Sequence, residues 1–178
     1  MKTQFFKSSL ILLSLVFGLL TTACSSDDGS GSGGNTPPGT MSANIDGNNY
    51  QSSEMLSSAN KVNNGIDGSE ALTLLGNTDE GKTISINILN YDGVGTYDIG
   101  GDNSIAVTAS YIEVNISNPT DSQTWQAPFD ETVSGSISVS SDENNNVQGT
   151  FEFTAQNSID DSIKEITAGS FNMDYTSF

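Results

Sequence analysis

The chain has 178 residues, and 22 acidic side chains face five basic ones, for a formal charge of −17. All the basic residues are lysine and none is histidine or arginine, which excludes an imidazole base, a Ser-His-Asp triad, a histidine metal site and a guanidinium clamp. The same balance disfavours nucleic acid, because phosphate binding needs clustered Lys and Arg, and it predicts a well-solvated, self-repelling surface.

Lys2 and Lys7 make a short basic start, and an apolar run from Leu10 to Leu20 follows, broken by Ser14 and Gly18. That run is shorter than the roughly 20 residues a helix needs to cross a bilayer. Thr21, Thr22 and Ala23 are small, so residues 1–23 read as a secretory signal peptide. Its removal takes two of the lysines and leaves 22 acidic residues against three basic ones. Cys24 is the single cysteine, so no intramolecular disulfide can form.

The stretch Leu20-Thr21-Thr22-Ala23-Cys24 resembles the lipobox of bacterial lipoproteins, although Thr21 stands where that motif usually carries Leu. The resemblance implies that Cys24 is lipidated and becomes the new N-terminus. Acyl chains contribute about 0.8 kcal/mol per buried methylene, so two or three of them anchor a protein durably. Ser25-Ser26-Asp27-Asp28 resembles the surface-export tag of lipoproteins from Bacteroidota-type bacteria. It implies an outer-membrane protein, surface-exposed, with a periplasm-facing orientation as the alternative. Residues 24–40 form a Gly, Ser and Pro tether, with an end-to-end distance of roughly 20–24 Å.

From residue 41 to 178 short alternations of polar and apolar residues are separated by Gly, Asn and Asp, the signature of strands and turns in one β-rich domain. Met41, Ala43 and Ile45 alternate, Asp46 to Asn49 make a turn, and Tyr50 to Met55 return. Residues 57–69 read as a loop. Leu72 and Leu74 mark a strand, and Ile84, Ile86 and Ile88 give the clearest alternation. Gly95-Thr96-Tyr97 opens another strand. Ile105, Val107, Ala109 and Tyr111 share one parity and Ile112, Val114 and Ile116 the other, which predicts a bulge or bend at 110–112 or a strand covered on both sides. Trp125 is expected in a loop before Pro128. Residues 133–156 read as a hairpin turning at 142–146. Ile163 to Thr167 and Phe171 to Tyr175 read as a last pair joined at Ala168-Gly169. The expected fold is all-β: an antiparallel meander of about nine or ten strands, closing as a sandwich or a flattened barrel.

A small motif recurs in Gly95-Thr96-Tyr97, Gly135-Ser136-Ile137, Gly149-Thr150-Phe151 and Gly169-Ser170-Phe171. Its irregular spacing argues for a shared strand-entry preference and not for a repeat. The stretches Ser42-Ala43-Asn44-Ile45-Asp46-Gly47, Gly95-Thr96-Tyr97, Gly149-Thr150-Phe151-Glu152-Phe153-Thr154-Ala155 and Ile166-Thr167-Ala168-Gly169-Ser170-Phe171-Asn172 resemble small Bacteroidota-type lipoproteins with an uncharacterised β domain. The resemblance implies no activity and carries over no functional residue.

Candidate chemistry is sparse. Asp142, Asn144 and Asn146 alternate like calcium-loop ligands, but Val147 occupies the place of the required Gly. Trp125, with Tyr91, Tyr97 and Tyr111, is the candidate for a sugar-stacking or ligand platform. Ser162 and Lys164, two apart on a strand, can be drawn as a hydrolase pair, and no carboxylate pair stands out as a glycosidase centre. Asp161-Ser162-Ile163 resembles an O-glycosylation signal of exported proteins. The sequence therefore points to a non-enzymatic envelope lipoprotein without cofactor or bound metal, held to the membrane by Cys24 and contacting an extracellular ligand or envelope protein. The alternatives are a structural subunit of an outer-membrane complex, or a carbohydrate-active or calcium-binding module.

Overall fold

The computed structural model describes residues 36–63, 68–103 and 105–178. Cys24 and residues 1–23, expected to be a signal peptide, lie outside them. Among the described residues are eleven strands: β1 (Thr40–Ile45), β2 (Asn48–Gln51), β3 (Ser58–Asn63), β4 (Glu70–Asn77), β5 (Lys82–Tyr91), β6 (Gly95–Gly100), β7 (Val107–Glu113), β8 (Gln123–Ala127), β9 (Val133–Glu143), β10 (Asn146–Gln156) and β11 (Ile163–Ser177). Three single 3-10 turns, at Glu54–Leu56, Gly101–Asn103 and Pro119–Asp121, interrupt the connections.

The strands form two layers. One is β2-β1-β11-β10-β9-β6 and the other is β3-β4-β5-β7-β8. Two corners join them. The end of β11 runs parallel to β3, with Tyr175 opposite Ala59, and Gln156 of β10 pairs with Gln126 of β8. The hydrogen-bonded path thus closes on itself, and the two expected forms coincide in a sandwich whose layers are stitched into a flattened barrel. The parallel β3–β11 pair and the order β1-β11-β10 make it other than a simple meander.

Alternation places the core as the sequence predicts. Ile84, Ile86 and Ile88 of β5 are fully buried, as are Leu74 of β4 and Ile99 of β6. Phe151, Phe153, Phe171 and Met173 fill the facing layer.

Three expectations are corrected. Residues 57–69, expected as a loop, contain β3, a polar strand with only Ala59 buried. Its pairing with both β4 and β11 supplies what its own composition lacks. The bend expected at 110–112 does not form. β7 keeps unbroken register with β5 from Val107 to Glu113, so Val107, Ala109 and Tyr111 face the core. Ile112 points outward, and Val114 and Ile116 lie past the strand, 44% and 72% exposed. Finally, the expected last hairpin is one continuous strand of 15 residues. It carries a bulge instead: Phe151 pairs with Gly169 and Phe153 with Ile166, so Glu152 faces two residues, and Ala168 takes a positive φ of 49°. That extra residue lets Ile166 and Phe171, of opposite parity, both face the core.

The recurring Gly motif has a structural reason. Gly149-Thr150-Phe151 and Gly169-Ser170-Phe171 lie antiparallel across β10 and β11, so Gly149 faces Phe171 and Phe151 faces Gly169. Each ring lies over the opposite glycine, and the two rings stack at 6.4 Å. Gly135 likewise faces Phe153. A Cβ on Gly169 would sit 2.4 Å from the Phe151 carbonyl oxygen and 2.5 Å from its ring.

Gly169→Ala is therefore expected to destabilise by about 2 kcal/mol or more and to lower the melting temperature by roughly 5–10 °C. Gly95→Ala in β6, where the new Cβ meets nothing within 4 Å, is the control and stays within about 0.5 kcal/mol of the parent. Thermal unfolding followed by circular dichroism measures both.

Candidate functional site

β2 is a short outer strand whose hairpin with β1 folds over the second layer. Asp46 and Gly47 make its turn, both at positive φ. Tyr50 ties the hairpin down: its hydroxyl donates to the Gly76 carbonyl at 2.5 Å and accepts from the Ile84 amide at 3.2 Å. Gly76 and Ile84 are cross-strand partners in β4 and β5, so one phenol bridges the two layers at that pair. Burial pushes its pKa up, which keeps it a hydroxyl able to do both.

Beside this strut an open cleft of about 460 Å³ lies between the β1–β2 hairpin, the β4–β5 turn, the end of β7 and the start of β11. Its floor is Ile45, Tyr50 and Tyr111, all buried. Asn48, Asn49 and Gln51 line one wall; Asp79, Glu80 and Lys82 line another; Glu113 and Lys164 complete the rim. After residue 23 the chain has lysines at 61, 82 and 164, and two of those three line this cleft.

The charged groups are held in place. Lys164 donates to Asp46 Oδ2 at 2.8 Å, and its ammonium sits 5.1 Å above the Trp125 ring. Asp46 Oδ1 accepts the Glu165 amide at 2.9 Å. The Lys164 and Glu165 bonds hold the Asp46 carboxyl below the usual carboxylate range. Lys82 pairs with Glu80 at 3.5 Å, and the Tyr111 hydroxyl donates to Glu113 at 2.8 Å.

Trp125 is not in a loop and not an exposed platform. It lies in β8, 6% exposed, stacked on Tyr111 at 5.7 Å, with its indole N–H donating to Ser162 at 2.9 Å. Tyr91 and Tyr97 stack on each other at the other end of β5, so the four aromatics form two separate pairs. Trp125 acts on the cleft from below, by fixing Lys164. Ser162 and Lys164 do not make a nucleophile and base. The Ser162 hydroxyl accepts from Trp125 and donates to Asp160 at 2.6 Å, while Lys164 is bound to Asp46. A glycan on Ser162 would displace that bond to Asp160.

The opposite end of the barrel is closed. Two bulges aim side chains inward there. In β9, Gly149 pairs with Val139 and Gln148 with Ser141, leaving Ser140 extra and turning Asp142 in. In β5, Leu72 pairs with Ile88 and Glu70 with Tyr91, which turns Tyr91 in. Asp142 then accepts from Tyr175 at 2.8 Å and Tyr91 at 3.0 Å and pairs with Lys61 at 3.2 Å. Burial alone would raise the Asp142 pKa; the two phenols and the ammonium outweigh it and hold the carboxyl below its usual range. For Lys61, burial pulls down, but the contacts with Tyr175 and Asp142 outweigh it and push the ammonium up. The expected calcium spacing is thus divided: Asp142 serves this cluster, Asn144 and Asn145 make the turn at positive φ, and Asn146 donates to Asn172 and Asp174.

Sequence reasoning missed the cleft. Its one legible signal was the scarcity of lysine, but nothing local showed that residues 82 and 164 converge, because β11 reaches β1 across more than a hundred residues.

Fold and site together define an all-β sandwich closed at two corners, with one end pinned and the other open as a polar cleft. The chain belongs to the family described as Domain of unknown function (DUF6252), whose sequence profile matches residues 38–173. No curated protein and no solved structure matches it.

Two variants test these ends. Tyr50→Phe leaves the Gly76 carbonyl and Ile84 amide without their shared partner, and costs about 1–3 kcal/mol in denaturant unfolding. Asp142→Asn costs about 3 kcal/mol at neutral pH, because Lys61 loses its nearer, more buried counter-ion and keeps only the half-exposed Glu70 at 3.5 Å. The Asp142 pKa is lowered by folding, so its stabilisation is present above the unfolded value of about 4 and is lost as pH falls through the lower folded one. The gap between parent and Asp142→Asn, measured by urea unfolding from pH 7 to pH 2, therefore narrows on acidification.

Proposed function

We propose that the protein is a non-enzymatic lipoprotein of the outer membrane, anchored through Cys24, that presents its open cleft to a small polar ligand outside the membrane. The observation that carries this reading is the cleft itself. Its volume of about 460 Å³ falls in the range of small-molecule sites, about 300–1,000 Å³, and polar side chains from four separate segments converge on it. The lysines that could act as bases are ion-paired, and the serine nearest to one of them has both hydrogen-bonding roles filled, which supports binding over catalysis.

Anchoring follows from the sequence resemblance at Cys24. The acidic surface gives anionic lipid heads nothing to attract, so attachment rests on the acyl chains. A structural subunit of a larger complex finds less support. Among the described residues the most exposed apolar side chains, Met55, Ile105 and Ile159, belong to three separate connections and not to one element.

In the native host, the full-length chain is expected to pellet with membranes after a carbonate wash, and globomycin to leave an unprocessed precursor. Cys24→Ser is expected to remain unprocessed. Normal processing and membrane retention of Cys24→Ser would remove the anchor from this reading. Protease shaving of intact cells distinguishes surface display, where the domain is digested, from a periplasm-facing orientation, where it survives.

A further inference from the structure

We infer that the cleft takes a neutral, polyhydroxylated ligand, a saccharide of about one or two rings. This rests on the reading of the cleft as a ligand site and adds the chemistry of what enters it.

Charge is the first argument. Both cleft lysines are already paired within the protein, Lys164 to Asp46 at 2.8 Å and Lys82 to Glu80 at 3.5 Å. Asp79 and Glu113 remain as a surplus of negative charge on the walls, in a chain that carries −17 overall. An anionic ligand would approach against that field. A metal ion lacks a ligand set, since among the described residues no three His, Cys, Asp or Glu side chains gather.

The second argument is the supply of hydrogen bonds. An ammonium has three N–H donors; Lys164 gives one to Asp46, and Lys82 is ion-paired with Glu80 at 3.5 Å. Asn48 and Gln51 turn their amide N–H groups onto backbone carbonyls of residues 45, 46, 41 and 52, which leaves their side-chain oxygens as acceptors. Glu113 holds one hydrogen bond from Tyr111 and keeps further lone pairs. Donors and acceptors are thus both present in the lining. A hydroxyl group donates and accepts at once, so a polyol can satisfy such a lining where an amphiphile cannot.

The third argument is the floor. Tyr50 and Tyr111 are 4% and 1% exposed, and their hydroxyls are already engaged, by Gly76 and by Glu113. No broad apolar surface is offered, which excludes a lipid or an aromatic ligand as the better fit. Recognition would come from edge-on hydrogen bonds and not from ring stacking.

Trp125 supplies a built-in reporter. It is the only tryptophan of the chain, and the ammonium over its ring belongs to a cleft residue. The full-length chain in detergent is titrated with glucose, galactose, mannose, N-acetylglucosamine, cellobiose and maltose, with glucuronate, glycine and calcium chloride as controls. Tryptophan emission and calorimetry are read. At least one neutral saccharide is expected to give a saturable emission change. Lys82→Met and Glu113→Gln are each expected to weaken it about tenfold, with far-ultraviolet circular dichroism unchanged. If only glucuronate, glycine or calcium binds, and the same variants weaken it, the saccharide assignment falls while the cleft stands as a ligand site. Saccharide binding untouched by either variant, or silence across the whole panel, overturns both.

Discussion

The strict alternation of side chains along a strand is the constraint on which this structure turns. A strand that buries one face can line only that face. β11 runs the length of the barrel and must place Lys164 at the cleft, Ile166 and Phe171 in the core, and Tyr175 at the closed end. Lys164 and Ile166 share one parity, and Phe171, Met173 and Tyr175 the other. The bulge at Thr167–Ala168 reconciles them by letting Glu152 face two residues. Without it, either the cleft lysine or the closing phenol would point to solvent. The same device turns Asp142 and Tyr91 inward from β9 and β5. Three extra residues therefore shape both ends of the barrel.

The glycines around the bulge follow from the same crowding. Phe151 and Phe171 each lie over their own partner glycine, Gly169 and Gly149, and the room for each ring is the missing Cβ opposite. A glycine within a strand costs backbone entropy and offers nothing to pack. Here the aromatic ring across the pair fills that gap.

Much of the fold was legible in the sequence, because alternation is a local signal. The triplet Ile84, Ile86 and Ile88 sufficed to place β5, and the Asp142–Asn146 stretch sufficed to place the β9–β10 turn. Parity reversal was legible as well, but ambiguous in meaning. Ile112, Val114 and Ile116 reverse parity because the strand ends and its last residues turn outward, whereas Ile166 and Phe171 do so because of a true bulge. Only the pairing partner separates the two cases. β3 was hidden for a related reason: Ser-Ala-Asn-Lys-Val-Asn has no apolar face, and its strand state comes from two neighbours distant in sequence. The candidate site was hidden more deeply. Trp125 drew attention as the lone tryptophan next to a proline-bearing loop, yet it is a core residue, and what reaches the cleft is the lysine it supports.

The two ends of the barrel differ in how they treat charge, and that difference is the reason to place function at one of them. At the closed end Asp142 is largely withdrawn from water, and a carboxylate so placed is tolerable only with its oxygens satisfied. Tyr91, Tyr175 and Lys61 do that, so both of its oxygens are engaged within the protein. At the open end the ion pairs are more solvated: the Lys82 side chain is 45% exposed and that of Lys164 25%. Exposed pairs contribute little to stability, so folding alone gives weak reason to collect two of three lysines there. Their arrangement, with ammonium groups held in place yet with donors to spare, is the kind of preorganisation that lowers the cost of binding. A chain this poor in cations has used one to seal its barrel and set the other two around the opening.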